Sequence, residues 1–195
     1  MARSGAEAPP SAARSRLLAT ASQVFYAEGI HSIGVDRIVN AAKVTRATFY
    51  RHFPGKEDLV VAYLHGVDRA VRERAGEVPA DAEEAVAWLL GLTGALGDQL
   101  CGVGFRGCAF INAAAEYPDP ASPVREAVRT HREWLGTSVT AAFSRARHPD
   151  PGDAGQRWMV LRDGAMVAGY LADPGRAQAV FDAGVRDLLA QASVR

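Results

Sequence analysis

Apolar residues recur at helical spacing along the first part of the chain. The side chains of one face are Leu17, Leu18, Ala21, Val24 and Phe25, and those of a second face are Val35, Ile38, Val39 and Ala42. Residues at i, i+3, i+4 and i+7 share one side of a helix. These patterns therefore predict a first helix from Ser11 to Gly29 and a short second helix over residues 35–42.

A third helix is predicted over residues 46–53. Thr45 is a good N-cap for it, and Phe49 and Phe53, four residues apart, are the side chains expected to face inward. A Pro-Gly pair ends this helix, and a fourth begins at Lys56.

The rest of the chain also follows helical periodicity, interrupted by segments rich in Pro, Gly and Asp. We predict five further helices over residues 82–100, 107–116, 124–147, 154–171 and 176–192. No stretch shows the apolar-polar alternation with a period of two that marks a half-buried β-strand. The sequence therefore predicts an all-α protein of about nine helices.

Helix and turn lengths divide the chain into three parts. Residues 1–10 are small, polar and contain proline, which is typical of a mobile N-terminal arm. Residues 11–55, the head, contain a longer helix followed by two short helices joined by a three-residue turn. This is the spacing of a helix-turn-helix, whose second helix can enter a DNA major groove. Residues 56–195 form the remaining helical body.

Charge is distributed unevenly between head and body. The chain of 195 residues has no net charge, but residues 1–56 carry eight basic and three acidic side chains, a net charge of +5, which leaves −5 for residues 57–195. A basic head on an acidic body favours a polyanion as the partner of the head.

The overall composition excludes several classes of protein. Apolar residues make up 48% of the chain, which excludes disorder over most of it. No apolar run is long enough to span a membrane, and the N-terminus lacks the apolar core of a secretory signal, so we expect a cytoplasmic protein without a membrane partner. The two cysteines are not accompanied by ligands at metal spacing, so no metal and no cofactor are expected.

The outward side chains of the third helix are suited to DNA. They are Arg46, Ala47, Thr48, Tyr50, Arg51 and His52. Arginine can bond to guanine O6 and N7, the methyl groups of Thr and Ala can contact thymine, and Tyr, His and the nearby Lys56 can donate hydrogen bonds to phosphates. Periodicity and charge alone also fit a surface helix in an ordinary helical bundle.

Residues 36–59, DRIVNAAKVTRATFYRHFPGKEDL, resemble the DNA-binding signature of the tetracycline-repressor (TetR) family, and the match runs without gaps from about residue 14 to 64. The resemblance implies that Thr48, Tyr50, His52 and Lys56 contact phosphates and that Thr45, Arg46, Ala47 and Arg51 face base edges. Arg14 and Arg16 would reach the flanking DNA backbone or minor groove; the alternative is that they belong to an untethered tail. The chain departs from the family pattern at Lys43, where the family usually has Gly, and at Gly34, where a Ser or Thr cap is frequent.

The resemblance also implies that the last two helices of each subunit form a four-helix dimer bundle. The residues expected at this interface are Trp158, Leu161, Ala165, Ala168, Tyr170, Phe181, Val185 and Leu188. A twofold homodimer would read a palindromic operator in double-stranded DNA. The periodicity of these residues fits an internal core equally well.

Between the head and the dimer helices, members of the family usually enclose an effector pocket. The candidate lining residues, which would take a largely apolar small molecule, are Trp88, Leu92, Phe105, Cys108, Phe110, Asn112, Glu116 and Trp134. Asn112 and Glu116 on an otherwise apolar helix can orient a ligand. The alternative is that Asn112 satisfies backbone groups and Glu116 caps or pairs with a neighbour.

The leading interpretation is thus a dimeric repressor that a small-molecule effector releases from a palindromic operator. A first alternative is a thiol-based redox-responsive regulator that uses Cys101 and Cys108, with Arg106 nearby. A second is an all-α enzyme whose acid-base groups would be Glu116, His65 or His131. This alternative lacks a nucleophile motif, a phosphate-binding loop and a metal cluster. A third is a helical module whose basic face binds a protein.

Overall fold

The computed structural model describes residues 11–192, which form nine α-helices and no β-strand. The helices are α1 (Ala12–Glu28), α2 (Val35–Ala41), α3 (Arg46–His52), α4 (Lys56–Ala75), α5 (Ala82–Leu100), α6 (Ala109–Glu116), α7 (Pro123–Arg145), α8 (Pro151–Leu171) and α9 (Pro174–Leu189). The all-α prediction is confirmed for the described residues. The predicted arm at residues 1–10 lies outside them.

Local capping side chains set where α8 and α9 begin, and both start earlier than predicted. The Asp150 carboxylate accepts a hydrogen bond from the N–H of Asp153, and the Asp173 carboxylate accepts from the N–H groups of Gly175 and Arg176. In each case a proline follows the capping aspartate as the first helical residue, where its fixed φ fits a helix and its missing N–H costs nothing. The two Asp-Pro pairs predicted as loops are therefore helix starts.

The remaining boundary errors are small. Helix α6 begins at Ala109 instead of residue 107 because Gly107 has a φ of +80°, which is not helical. Helix α9 ends at Leu189, three residues before its predicted end.

The described residues divide into two compact units, one that ends at Tyr63 and one that begins at Leu64. In the first unit, α1, α2 and α3 surround a core that includes Leu17, Phe25 and Ile38, all almost fully buried. The start of α4 belongs to the same unit, since the rings of Phe25 and Tyr63 lie 5.9 Å apart. The sequence placed the domain boundary at residue 55, whereas the division into compact units falls within α4.

The second unit is built mainly from α5, α7, α8 and α9. Trp158 is its largest fully buried side chain, packed edge-on against Phe181 at 5.5 Å. The indole N–H of Trp158 donates a hydrogen bond of 3.2 Å to the buried hydroxyl of Thr93, which satisfies both polar groups. Among residues 11–192, no helix combines the length and the apolar character that a membrane crossing requires.

Candidate DNA interface and effector cavity

The turn between α2 and α3 is a Schellman motif with lysine in the left-handed position. The N–H of Val44 donates to the carbonyl of Val39 at 3.0 Å, and the N–H of Lys43 donates to the carbonyl of Asn40 at 3.2 Å. Lys43 has a φ of +51°, a conformation that glycine adopts without a steric penalty. The structure thus shows at Lys43 the left-handed backbone for which the family usually has glycine.

Helix α3 turns its aromatic pair inward and presents its polar residues to solvent. Phe49 and Phe53 are buried. The α3 surface consists of the exposed residues Thr45, Arg46, Ala47, Tyr50 and Arg51 and the half-buried residues Thr48, His52 and Lys56. These are the eight residues predicted to bind DNA, and the fold brings them to one continuous helix and its flanks.

The threonines of the α3 surface organise the start of the helix. The hydroxyl of Thr45 accepts a hydrogen bond from the N–H of Thr48 at 3.1 Å and lies 3.0 Å from its hydroxyl. Thr45 is therefore the N-cap, as the sequence predicts.

Arg46 is held by a partner that the sequence analysis missed. Its guanidinium forms two parallel hydrogen bonds with Asp36 of α2, one from Nε to Oδ1 at 2.6 Å and one from Nη2 to Oδ2. The hydrogen bond from Arg46 lowers the pKa of Asp36, and the same bond raises the pKa of Arg46. Both side chains are exposed, so this ion pair fixes a direction for the guanidinium while leaving it open to solvent.

Several other groups of the α3 surface also have partners within the first unit. His52 Nε2 lies 3.1 Å from the hydroxyl of Ser11, and the ammonium of Lys56 donates to the carbonyl of His31 at 3.5 Å. The guanidinium of Arg14 lies 5.2 Å from the centre of the Phe53 ring, which anchors it next to α3.

A cavity of about 690 Å³ opens between α4 and α5 in the second unit, and we call it the α4–α5 cavity. Its walls include Val67 and Val71 of α4 and Leu92 and Leu96 of α5, with Trp88 among the lining residues. Small residues at positions 70, 91 and 95 leave the space between the two helices open. Arg74 and Gln99 are its polar lining residues.

The structure divides the residues predicted for the effector pocket. Trp88 and Leu92 line the α4–α5 cavity, whereas the predicted residues on α6 and α7 are packed elsewhere. Phe110 stacks on His131 with ring centroids 3.7 Å apart, and Trp134 lies under the guanidinium of Arg72 at 4.4 Å. Phe110 is therefore a core residue, and the half-buried Trp134 already contacts Arg72.

The other predicted pocket residues also have structural partners. Asn112 donates to the carbonyl of Arg106 at 2.8 Å, so the prediction that it satisfies a backbone group is confirmed. Glu116 is half-buried at the end of α6 and has interaction partners in the fold. Phe105 lies against Gly169 of α8. Sequence periodicity missed Arg74 and Gln99, which mark the cavity only once the spacing of α4 and α5 is known.

The two cysteines are free and differ in environment. Cys101 is exposed, and its thiol donates to Gln178 Oε1 at 3.3 Å. Cys108 is buried, and the buried guanidinium of Arg162 donates to its sulfur at 3.1 Å. Arg106, which the sequence placed near the thiols, instead has its guanidinium 5.2 Å from the Tyr170 ring centre.

A cluster of polar residues connects α4 with α7. His131 Nδ1 lies 2.7 Å from Asp68 Oδ1, and Arg72 Nε donates to Asp68 Oδ2 at 2.7 Å. Burial lowers the pKa of His131, and the nearby Asp68 only partly opposes this effect. Burial alone would raise the pKa of Asp68, but its hydrogen bonds with Arg72 and His131 outweigh burial and lower it. Among the described residues, no group of three or more His, Cys, Asp or Glu is arranged to hold a metal ion.

The interface residues predicted on α8 and α9 include several that face inward. Trp158, Ala165, Phe181, Val185 and Leu188 are buried within the chain itself. Their side chains are therefore covered and are not part of the exposed surface of these helices. Tyr170 is exposed and Leu161 half-buried.

A different set of residues forms the exposed apolar surface of the same two helices. Val160, Val180 and Leu171 are 66%, 58% and 72% exposed. A shallow groove of about 360 Å³ runs between α8 and α9, and its lining includes Val160, Leu161, Gly164, Ala168 and Val180. We call this surface, together with Leu171, the α8–α9 face. Leu161 and Ala168 of the predicted set belong to it.

The described fold of the first unit is a helix-turn-helix, and comparisons with known proteins agree. Residues 17–63 match the family described as bacterial regulatory proteins, tetR family. The crystal structure of SCO4454, a TetR-family transcriptional regulator from Streptomyces coelicolor, superposes with a TM-score of 0.86 at 47% identity, covering 93% of this chain and 96% of that one.

Two curated proteins also resemble the chain. The uncharacterized HTH-type transcriptional regulator Rv1255c of Mycobacterium tuberculosis is 29% identical over 171 residues, which cover 86% of this chain and 78% of that protein. The HTH-type transcriptional activator FasR of Mycolicibacterium smegmatis is 39% identical over 62 residues. That match covers 32% of this chain and only 28% of the length of FasR.

The chain belongs to the TetR family. It is a DNA-binding transcriptional regulator, and its relatives and structural neighbours are regulators, not enzymes. The enzyme alternative from the sequence is therefore wrong, and His131, one of its candidate acid-base groups, is instead packed between Phe110 and Asp68.

Proposed function

We propose that the protein is a homodimeric repressor that binds a palindromic operator and leaves it when a small molecule binds the α4–α5 cavity. The observation that carries this proposal is the α3 surface, where a basic and hydroxyl-rich set of side chains stands on the second helix of a helix-turn-helix. Because its partner is chromosomal DNA, the protein would act in the cytoplasm.

Base reading on the α3 surface is assigned by chemistry and exposure. Arg46 and Arg51 carry guanidinium groups that can bond to guanine O6 and N7, and the Ala47 methyl can contact thymine. Arg46 must exchange its hydrogen bonds with Asp36 for DNA, whereas Arg51 has no ion pair with any residue of 11–192. Tyr50, His52, Lys56 and Thr48 are proposed to hold phosphates.

Dimerisation through the α8–α9 face is supported by its exposed apolar side chains. A contiguous apolar surface on a soluble monomer marks an interaction site. Small residues at Gly164 and Ala168 allow the backbone of a second copy to approach closely, and a twofold axis places the same face on both partners. The resemblance to TetR regulators assigns this role to the last two helices.

Effector release is proposed to act through α4. The helix runs from Lys56 to Ala75, and its C-terminal half supplies Val67, Val71 and Arg74 to the cavity. A ligand that binds more tightly when α4 is in one position than in another shifts the population away from or toward the DNA-binding conformation. The size of the shift is set by the difference between the two affinities.

Selection from random duplex DNA with the purified protein at physiological salt tests the central proposal. We expect an enriched inverted repeat whose half-sites lie about one helical turn or more apart. Light scattering at micromolar concentration should give the mass of a dimer. The protein could instead retain DNA without enriching any sequence, even after it has been denatured and refolded to remove any copurified ligand. That result would reject sequence-specific DNA binding.

A thiol trigger is a second candidate function, favoured by the contact between Arg162 and Cys108. A hydroperoxide would oxidise the thiol to a sulfenic acid and leave as the alcohol or water, and the guanidinium could hydrogen-bond to the added oxygen. A protein with both Cys101→Ser and Cys108→Ser should then stay on its operator under peroxide. Release equal to that of the wild type would exclude this candidate.

A further inference from the structure

We propose that the ligand of the α4–α5 cavity is an elongated amphiphile with an apolar body and a single carboxylate head that binds Arg74. This inference rests on the proposed effector site and specifies its chemistry. Three observations support it: the shape of the cavity, its apolar walls and the charge of its lining.

The cavity is long in the direction of α5. The indole N–H of Trp88 donates to the carbonyl of Ala75 at 2.6 Å, which joins the early part of α5 to the C-terminal end of α4. Eleven residues separate Trp88 from Gln99, a rise of about 16 Å along a helix. Since both residues line the cavity, a ligand that fills it is extended along the helix.

Between Arg74 and Gln99, the walls of the cavity offer almost no hydrogen bonds. Val67, Val71, Leu92 and Leu96 present hydrocarbon, and the N–H group of Trp88 is already used by Ala75. A polar ligand body would lose its hydration there without replacement. The body of the ligand is therefore apolar.

The charge of the lining is a single cation. Arg74 lines the cavity, and no carboxylate does so among the residues described. Its neighbour Arg72 is paired with Asp68, but Arg74 forms no ion pair with any residue of 11–192. A guanidinium matches the two oxygens of a carboxylate, and its position beside Trp88 and Ala75 puts that head group at one end of the cavity.

Three ten-carbon probes separate the contributions of chain and head group. Decanoate, decanol and decyltrimethylammonium share one apolar chain and are titrated below micellar concentrations into the full-length protein without DNA, with binding heat as the readout. We expect decanoate to bind about tenfold or more tightly than decanol, and the cation to bind more weakly still. Equal affinities, tighter binding of the cation, or no binding of any probe would overturn the proposal.

Two variants locate the head group and the chain. Arg74→Gln should weaken decanoate about tenfold and leave decanol unchanged, while Arg69→Gln, an exposed position on the same helix that does not line the cavity, should change neither. Gly91→Leu should abolish binding of every probe, because a side chain there meets open space in the cavity. Wild-type decanoate affinity in Arg74→Gln or in Gly91→Leu contradicts the proposed site.

Release of operator DNA by decanoate is measured in a separate experiment. The proposed ligand chemistry and the proposed effector release can therefore be rejected independently. If decanoate binds with this pattern but leaves operator binding unchanged, the ligand chemistry stands and effector release is wrong. If the binding pattern is absent, the ligand chemistry is wrong whatever the protein does on DNA.

Discussion

The two units of the chain differ in whether they bury ion-pairing side chains. In the first unit, the ion pairs Arg46–Asp36 and Arg37–Glu28 are exposed, with side-chain exposures between 44% and 67%. In the second unit, His131 and Arg162 are almost fully buried and bonded to Asp68 and Asp163. An exposed ion pair contributes little to stability, and one partner can be exchanged for a phosphate or a base. Breaking a buried pair is costly, because it leaves a charged group buried with neither a partner nor water. The described ion pairs of the first unit thus remain available, whereas the second unit has exposed pairs such as Arg157–Asp153 and also buries the guanidinium of Arg162 in its core.

The largest expected effect tests this contrast directly. Asp163→Ala removes the carboxylate that accepts hydrogen bonds from Arg162 at 2.8 Å and Arg132 at 2.7 Å, and it should lower the free energy of unfolding by about 3 kcal/mol because the Arg162 guanidinium stays buried. Asp36→Ala is the matched change in the exposed pair and should leave stability unchanged within error. Urea denaturation followed by circular dichroism measures both. Equal losses would remove the distinction between the units.

A charge on the α8–α9 face should separate the proposed dimer. Val160→Glu places a carboxylate on an exposed apolar surface, so we expect a monomer by light scattering. Operator affinity should fall about 100-fold or more, because the two half-sites are no longer bound by one particle. Thr137→Glu, at an exposed position on α7, is the control and should remain dimeric. A dimeric Val160→Glu protein would place the interface elsewhere.

Within the first unit, Arg46 and Lys56 should contribute differently to DNA binding, one to sequence specificity and the other to affinity for any duplex. Arg46→Ala should weaken operator binding roughly 10- to 100-fold and relax specificity, while Lys56→Ala should weaken operator and random DNA alike. Competition titrations with both DNAs at one salt concentration separate the two effects. Equal losses on both DNAs for Arg46→Ala would refute its role in reading bases.

The buried histidine predicts how the stability of the second unit depends on pH. Burial lowers the pKa of folded His131 below its ordinary value of 6.5, although Asp68 opposes this and Arg72 and Arg162 reinforce it. The unfolded chain therefore takes up a proton first as the pH falls. The stabilisation is complete above about 6.5 and is lost as the pH falls toward the folded pKa.

Thermal unfolding at several pH values checks this dependence. His131→Gln keeps a donor for Asp68 but does not titrate, so it should flatten the decline in Tm below about pH 6.5. The same substitution at His65, which is exposed on α4, should leave the decline as it is in the wild type. An unchanged decline in His131→Gln would assign the pH dependence to other groups.

The smallest expected effect lies in the turn of the helix-turn-helix. Lys43→Gly removes a side chain from a residue with φ of +51° and should stabilise the protein by about 0.5–1 kcal/mol. It should also weaken binding to all duplexes slightly, since one cation near the DNA is lost. A decrease in Tm would contradict the argument from backbone strain.

The sequence predicted the first unit more completely than the second. Phe49 of α3 and Phe53 at its C-cap are the two phenylalanines of a mostly polar segment, so their spacing alone indicates which side is buried. Helix α8 is apolar on several sides, and periodicity does not distinguish buried Trp158 from exposed Val160. For this reason the predicted interface set combines buried with exposed residues.

The α4–α5 cavity could not be derived from residue patterns. Val67 and Val71 have the spacing of core residues, and only the distance between α4 and α5 leaves them lining a space. The ion pair between Asp36 and Arg46 could likewise not be predicted, because ten residues and a turn separate them along the chain. Contacts between helices depend on how the helices pack, which a single sequence does not record.

The exposed α8–α9 face, as the proposed dimer interface, has a consequence for gene control. If only the dimer binds an operator tightly, the amount of active regulator at low expression rises with the square of the number of chains. A cell of the same volume with half as many chains would hold about a quarter as many dimers when most chains are single. Repression would then set in abruptly as the protein accumulates, and small differences in synthesis between cells would become large differences in the genes it controls.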